Sequence, residues 1–194
     1  FKKDPSKVSK LERQIAKEVS FLTVYGGTAY TLASKRNIPE ERAEEIINSW
    51  MKAFPGVGRY MNTVQDYIEQ FKYAKTIFGR RRNLPNIDSP FKGVRREAFR
   101  QGLNFTIQSA ASDILLCGML GVIEKLKGMD AKVVATVHDS IELIAPKNET
   151  RRVVELVKEE LENYHYLRDN FNIDFKVPLA VDLEVGSSFG NGVE

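Results

Sequence analysis

Cysteine and histidine are scarce in this 194-residue chain. The single cysteine, Cys117, excludes a disulfide framework and any zinc site built on several thiolates. Two histidines, His138 and His165, cannot build a His-rich metal cage. No uninterrupted apolar run approaches the ~18–20 residues needed to span a bilayer. The start, Phe1-Lys2-Lys3-Asp4-Pro5, lacks the apolar core and cleavage pattern of a signal peptide. These absences predict a soluble, cytoplasmic chain with no membrane partner. A strong charge of one sign is also lacking. The net charge is +3 and 42% of residues are hydrophobic, so a folded rather than disordered chain is expected. The length suits one large domain or two small ones.

The balanced total hides a local excess. Between Lys72 and Arg100 nine bases (Lys72, Lys75, Arg80, Arg81, Arg82, Lys92, Arg95, Arg96, Arg100) face two acids, Asp88 and Glu97. A basic stretch beside a neutral remainder fits a polyanion held on one face. It also fits a solvated loop.

Punctuation divides the chain. Ser9 caps a helix predicted to run to about Tyr25 and to end at Gly26-Gly27. A short helix follows over Thr28–Lys35. Pro39 opens another, with Ala43, Ile46, Ile47, Trp50 and Met51 at helical spacing, which Phe54-Pro55-Gly56 stops. A helix over Val57–Lys72, a strand over Ala74–Phe78, a basic turn at Gly79–Arg82 and a loop over Asn83–Pro90 come next. A long helix is expected from Gly93 to Leu126. Two apolar, β-branched runs, Lys132–Val137 and Ile141–Ala145, then flank His138-Asp139-Ser140 as a hairpin. A helix over Pro146–Tyr166 and a strand over Pro178–Val185 close the chain. The order predicts an α+β fold: a helical part over 1–90, and a part over 91–194 carrying a small antiparallel sheet.

Three constellations carry chemistry. Arg13, Lys17, Phe21 and Tyr25 recur every fourth residue and share one helix face. Two cations followed by two aromatics suit a ligand with a polyphosphate at one end and a flat ring at the other. An amphipathic helix with snorkelling bases has the same spacing. Arg96, Arg100, Asn104 and Gln108 form a second stripe at the same interval, of side chains that read base edges and sugars. Ordinary amphipathicity gives that pattern too. Asp139 sits at the hairpin tip, where two strands would hold a carboxylate rigidly enough for Mg²⁺. A turn carboxylate more often marks only a turn.

These residues together resemble the C-terminal part of family A DNA polymerases. Arg13-x-x-x-Lys17-x-x-x-Phe21-x-x-x-Tyr25-Gly26 is similar to the family's motif B, the O helix of the fingers. Arg100-x-x-x-Asn104-x-x-x-Gln108, within Gly102–Ile114, is similar to its palm helix. Val137-His138-Asp139-Ser140 is similar to motif C. The stretches Phe54–Val57, Gly79–Pro85, Val177–Leu179 and Val185-Gly186 match in order and spacing, so the resemblance covers nearly the whole chain.

The resemblance implies a DNA-directed DNA polymerase that adds dNTPs to a primer 3′ end by two-metal phosphoryl transfer, with residues 1–90 as fingers and 91–194 as part of the palm. Arg13 and Lys17 would bind the triphosphate. Phe21 would pack on sugar and base, and Tyr25 and Gly26 would lie at the templating position. Arg80, Arg81, Arg100, Asn104 and Gln108 would contact primer–template DNA. Asp139 would bind Mg²⁺, and His138 would lie near the primer end. Ser140 stands where relatives usually carry Glu, and Phe189 where many carry Trp. Motif A, with the other metal-binding Asp, precedes the O helix and is expected before Phe1. The resemblance thus implies a chain that needs the N-terminal remainder of the polymerase, as the same or a separate polypeptide, in the cytoplasm of a bacterium or phage-infected host. The alternative is a non-catalytic nucleic-acid-binding module that kept the fold.

Overall fold

The computed structural model describes residues 4–189 and 192–193. The chain divides into two compact units, residues 1–109 and 110–194, and the boundary falls inside one long helix. The fold is mostly helical with small antiparallel hairpins, as the α+β expectation requires.

In the first unit, a short 3₁₀ turn at Pro5–Lys7 precedes α1 (Lys10–Val24). Its start is a reciprocal cap. Ser9 Oγ accepts from the Glu12 N–H at 3.2 Å, and the Glu12 carboxylate accepts from the Ser9 N–H at 3.0 Å. Its end is a left-handed Gly26 (φ 71°), with the Gly26 N–H bonded to Thr23 O and the Gly27 N–H to Leu22 O. α2 (Ala29–Arg36) is capped by Thr28 and ends at Asn37, φ 51°. α3 (Glu40–Ala53) and α4 (Pro55–Phe71) meet at Phe54, with Pro55 in the first turn of α4. Val19, Leu32 and Ala43 form one core, flanked by Leu22, Ile46, Ile47 and Trp50.

β1 (Tyr73–Lys75) and β2 (Arg81–Asn83) pair antiparallel, Tyr73 opposite Asn83 and Lys75 opposite Arg81. This corrects the sequence reading twice. The strand is shorter than expected, and Arg81–Asn83 is a strand rather than turn and loop, so sheet is not confined to the back of the chain. The reason is local. Gly79 takes φ 87° and its N–H bonds Thr76 O, which folds the basic run back on β1. A 3₁₀ turn at Pro85–Asp88 leads to α5 (Lys92–Lys125). Ile68, Ala74, Leu84, Ile87 and Ala98 make a second core, where Gly102 of α5 lets Ile68 and Leu84 approach its backbone.

By length and composition α5 contains a stretch apolar enough to cross a membrane, contrary to the expectation from uninterrupted runs. Averaging over scattered Asn, Gln, Thr and Ser hides polar positions that break every run. Ala98 and Leu103 of α5 are buried in the first unit and Val122 in the second.

In the second unit β3 (Lys132–Val137) pairs antiparallel with β4 (Ser140–Ile144) in the expected hairpin, with Ser140 inside the strand opposite Val137. α6 (Thr150–Asn163) stops at Tyr164, φ 50°, and α7 (His165–Phe171) follows. The single helix expected over 146–166 is therefore two. The anticipated strand over Pro178–Val185 shrinks to β5 (Val185–Gly186), paired with β6 (Gly192–Val193). Upstream, the Val181 N–H bonds the Glu162 carboxylate at 3.3 Å instead of a strand, while Leu183 packs on the core of Val122, Leu126, Ala131, Val153 and Val157.

Candidate active site

α1 is fixed by its inner face. Val19 and Thr23 are buried, and the Trp50 indole donates to Ser20 Oγ at 2.9 Å. Arg13, Lys17 and Phe21 then face outward. Lys17 Nζ stands 5.6 Å above the Phe21 ring, and the Phe21 and Tyr25 rings stack at 5.9 Å with planes 12° apart. The stripe is thus a continuous surface, cation to ring to ring. A cation over a ring at an exposed site gains only about 0.5–1 kcal/mol, too little to lock it against a phosphate.

The Gly26 turn sets the end of α1 against α5: a Cβ built on Gly26 would lie 3.8 Å from Arg100 Cγ. The first unit therefore brings Tyr25-Gly26 of one stripe to Arg100 of the other. Arg100 also pairs with Glu97, one turn back. Arg96 and Gln108 are exposed on the same helix. Asn104 Oδ1 is shielded from solvent with no hydrogen-bond partner, a state that costs about 1–3 kcal/mol unless a ligand relieves it. Beneath the stripe, the Tyr60 hydroxyl donates to Thr106 Oγ1 at 2.7 Å, and Thr106 donates to Leu103 O at 2.8 Å, tying α4 to α5.

Arg80 to Arg82 lie along the β1–β2 hairpin. The Arg81 guanidinium sits 4.9 Å from the Tyr73 ring centre, and Arg82 Nη2 donates to Gln101 Oε1 at 3.3 Å. Sequence reading missed Tyr67 and Tyr73, whose hydroxyls are 2.9 Å apart. The Tyr67 donor bond to Tyr73 and its surroundings hold the Tyr67 phenol above its ordinary pKa.

In the second unit His138 and Asp139 form the tip between β3 and β4. His138 takes φ 55°, a left-handed conformation that strains a side chain bearing a Cβ. Asp139 is exposed. Ser140 Oγ lies 3.0 Å from Val137 O and 2.8 Å from Glu142 Oε1, so the carboxylate two residues along the strand is tied towards the tip. Oxygen donors on a rigid turn suit a hard cation. Mg²⁺ takes one or two carboxylates plus substrate phosphates, and Asp139 fits as one such ligand. Among the described residues no group of three His, Cys, Asp or Glu side chains gathers for a metal.

Other polar groups serve the framework. Cys117 is buried, and that burial, with Asp113 nearby, pushes its thiol pKa up. His165 Nδ1 lies 2.7 Å from Arg168 Nη2. Glu160 is only 2% exposed; its Oε1 accepts from the Tyr166 N–H at 3.2 Å, and its Oε2 has no partner. A Glu-rich helix gives no sequence sign that one carboxylate turns inward over Gly121.

Within the first unit, then, an α-helix carrying cations and stacked rings ends against a polar helix. The family model for DNA polymerase family A matches residues 1–191, and the chain belongs to that family. DNA polymerase I of Bacillus caldotenax is 37% identical over 191 residues, covering 97% of this chain and 21% of that protein. The thermostable DNA polymerase I of Thermus aquaticus is 32% identical over 183 residues, covering 94% and 21%. A solved structure, the POL domain of Pol1 from M. smegmatis in complex with DNA primer-template and dNTP, superposes with a TM-score of 0.81 at 31% identity. It covers 90% of this chain and 30% of that one. The chain spans about a fifth of the length of these curated relatives.

Proposed function

We propose that this chain supplies the fingers and part of the palm of a DNA-directed DNA polymerase, which extends a primer with dNTPs. The carrying observation is the unbroken Lys17–Phe21–Tyr25 surface, ending where Gly26 meets Arg100. A triphosphate needs charge-assisted donors, and Arg13 and Lys17 provide them on consecutive turns. Phe21 offers a flat apolar face to sugar and base. Tyr25 and Gly26 sit at the helix end for the templating base. Arg100, Asn104 and Gln108 hold primer and template, with Arg80 and Arg81 on DNA phosphates. Residues 1–90 act as fingers and 91–194 as palm. The relatives' names and the neighbour's DNA and dNTP support this reading.

Asp139 would hold Mg²⁺ and His138 would orient the primer end. When bound, the metal supplies charge neutralisation for the phosphates. One carboxylate does not balance two ions, so further palm residues of the polymerase complete the site. Val133 and Leu143 of the β3–β4 hairpin pack on the core of the second unit, while Val134, Val137 and Ile144 stay exposed, which supports a further palm segment covering them. The protein acts in the cytoplasm, away from membranes. Titration of dNTP–Mg²⁺ into the purified chain tests the reading. Saturable binding lost in Lys17→Ala supports it. DNA binding with no dNTP binding would make the chain a non-catalytic module.

A further inference from the structure

Along α1 two acids, Glu12 and Glu18, stand among three bases, Lys10, Arg13 and Lys17. Glu12 is committed to the cap with Ser9. Glu18 follows Lys17 directly and borders the stripe of Arg13, Lys17 and Phe21. At 3.6 residues per turn it lies about 100° round the helix from Lys17, and the stripe drifts towards it by about 40° at each step of four. Glu18 therefore flanks Phe21, nearly one turn ahead, on an exposed part of α1. A free carboxylate there would repel a triphosphate and compete with it for Lys17.

The carboxylate is held instead by α2, where Arg36 Nη2 pairs with Glu18 Oε2. The packing of the two helices brings the pair together. Leu32 lies one turn before Arg36 on α2 and shares a core with Val19, the residue after Glu18. Arg36 sits in the last turn of α2, where the helix dipole favours a cation. Its side chain is 28% exposed against 49% for Glu18, and its Nε is shielded with no hydrogen-bond partner, so the guanidinium relies on Glu18 to balance its charge. A pair this open to water adds little stability. The Val19–Leu32 core and the Gly26-Gly27 turn already join α1 to α2. What the pair changes is where a negative charge lies.

We propose that Arg36 is a positioning residue for triphosphate binding: by holding the Glu18 carboxylate on the α2 side, it keeps an acid out of the cationic stripe and leaves the charges of Arg13 and Lys17 to the phosphates. Arg36 touches no ligand in this scheme and acts only through Glu18. The inference rests on the reading of α1 as the dNTP-binding helix.

The test is calorimetric titration of dNTP–Mg²⁺ into the whole chain at low salt. Arg36→Gln should weaken binding roughly two- to fivefold, the worth of one exposed charge pair. The loss should shrink at about 0.5 M salt, where screening acts within a few ångströms. Glu18→Gln should bind at least as tightly as the parent, and adding it to Arg36→Gln should restore parent affinity. Arg36→Lys keeps the cation and should stay within about twofold of the parent. A mechanical tether between the helices would weaken Glu18→Gln as well, and a direct contact of Arg36 with phosphate would leave the double variant weak. Either pattern, or unchanged affinity in Arg36→Gln, would overturn the proposal. Far-ultraviolet circular dichroism verifies that each variant is folded; if Arg36→Gln is not, Arg36→Met, which keeps the apolar stem, replaces it. The same titrations with inorganic tripolyphosphate, which lacks base and sugar, separate the two assignments. The expected variant pattern on tripolyphosphate, with no dNTP binding by the parent, would sink the dNTP reading alone. Nucleotide binding that is lost in Lys17→Ala but indifferent to Arg36 and Glu18 would sink this proposal alone, and no binding of either ligand would sink both.

Discussion

Lys17 is exposed on α1 above the Phe21 ring, where its charge could meet a phosphate. Lys17→Ala should weaken dNTP–Mg²⁺ binding roughly 10–150-fold, the equivalent of about 1.5–3 kcal/mol for a charge-assisted contact, with DNA affinity little changed. Isothermal titration measures this, and unchanged nucleotide affinity would sink the assignment. Arg100 differs because it is already paired with Glu97. Its removal should lower primer–template affinity and reduce the salt slope by about one unit, in a titration from low to moderate salt. These side chains were legible in sequence because both stripes keep an interval of four, which a helix converts into a face. Asn104 was legible as a stripe member, but its unpartnered Oδ1 was not, since solvent shielding depends on the neighbouring chain.

Among elements, the helices with strong local signals were the readable ones. Ser9 and Glu12 mark the start of α1 and Gly26-Gly27 its end, because caps act within a few residues. Gly27 has a second reason to be glycine: a Cβ there would meet Leu22 Cγ at 2.5 Å and Leu22 O at 2.8 Å. Gly102 has the same constraint between helices, with Ile68 Cδ1 at 2.4 Å and Leu84 Cδ1 at 2.8 Å. Gly102→Ala should destabilise the first unit by about 1–3 kcal/mol, seen as a lower urea midpoint at unchanged slope. A midpoint equal to the parent's would mean that Ile68 and Leu84 move aside freely. The elements misread lack such local marks. β2 is an arginine run that becomes a strand only because Gly79 folds it onto β1. The break at Tyr164 carries neither glycine nor proline. The segment before β5 spends a backbone donor on Glu162 of α6, a partner 19 residues away in sequence.

For the molecule as a whole, pH tests the acids whose proton the fold retains. Burial raises the pKa of Cys117 and Tyr164, and the hydroxyl pairing with Tyr73 raises that of Tyr67. In each case the folded state keeps a proton that the unfolded chain releases first. Folded molecules then bind more protons, so stability is full below the unfolded values and declines as pH rises above roughly 9. The urea midpoint should fall between about pH 9 and pH 11, and Cys117→Ala should flatten the lower part of that decline. A midpoint constant across the range would contradict it. Under the proposed function, Asp139 would hold a metal ion of the full polymerase. Asp139→Asn there should abolish primer extension while thermal unfolding stays within about 1 kcal/mol, because an exposed turn residue carries little packing. Extension at the parent rate would remove Asp139 from the metal site.

Sequence alone determined the helical register, the two polar stripes, the β3–β4 hairpin with Asp139 at its tip, and the family they jointly resemble. Those features follow from periods of 3.6 and 2 and from capping residues, all of which act within a turn or two along the chain. Tertiary structure alone decided that the Gly26 turn meets Arg100, that Arg81 comes to stand over the Tyr73 ring, and that Glu160 turns inward over Gly121. These pairs join residues whose separation no local period encodes. Their approach is set by how buried faces fit together, and small residues such as Gly102 and Gly121 allow the closest of those fits.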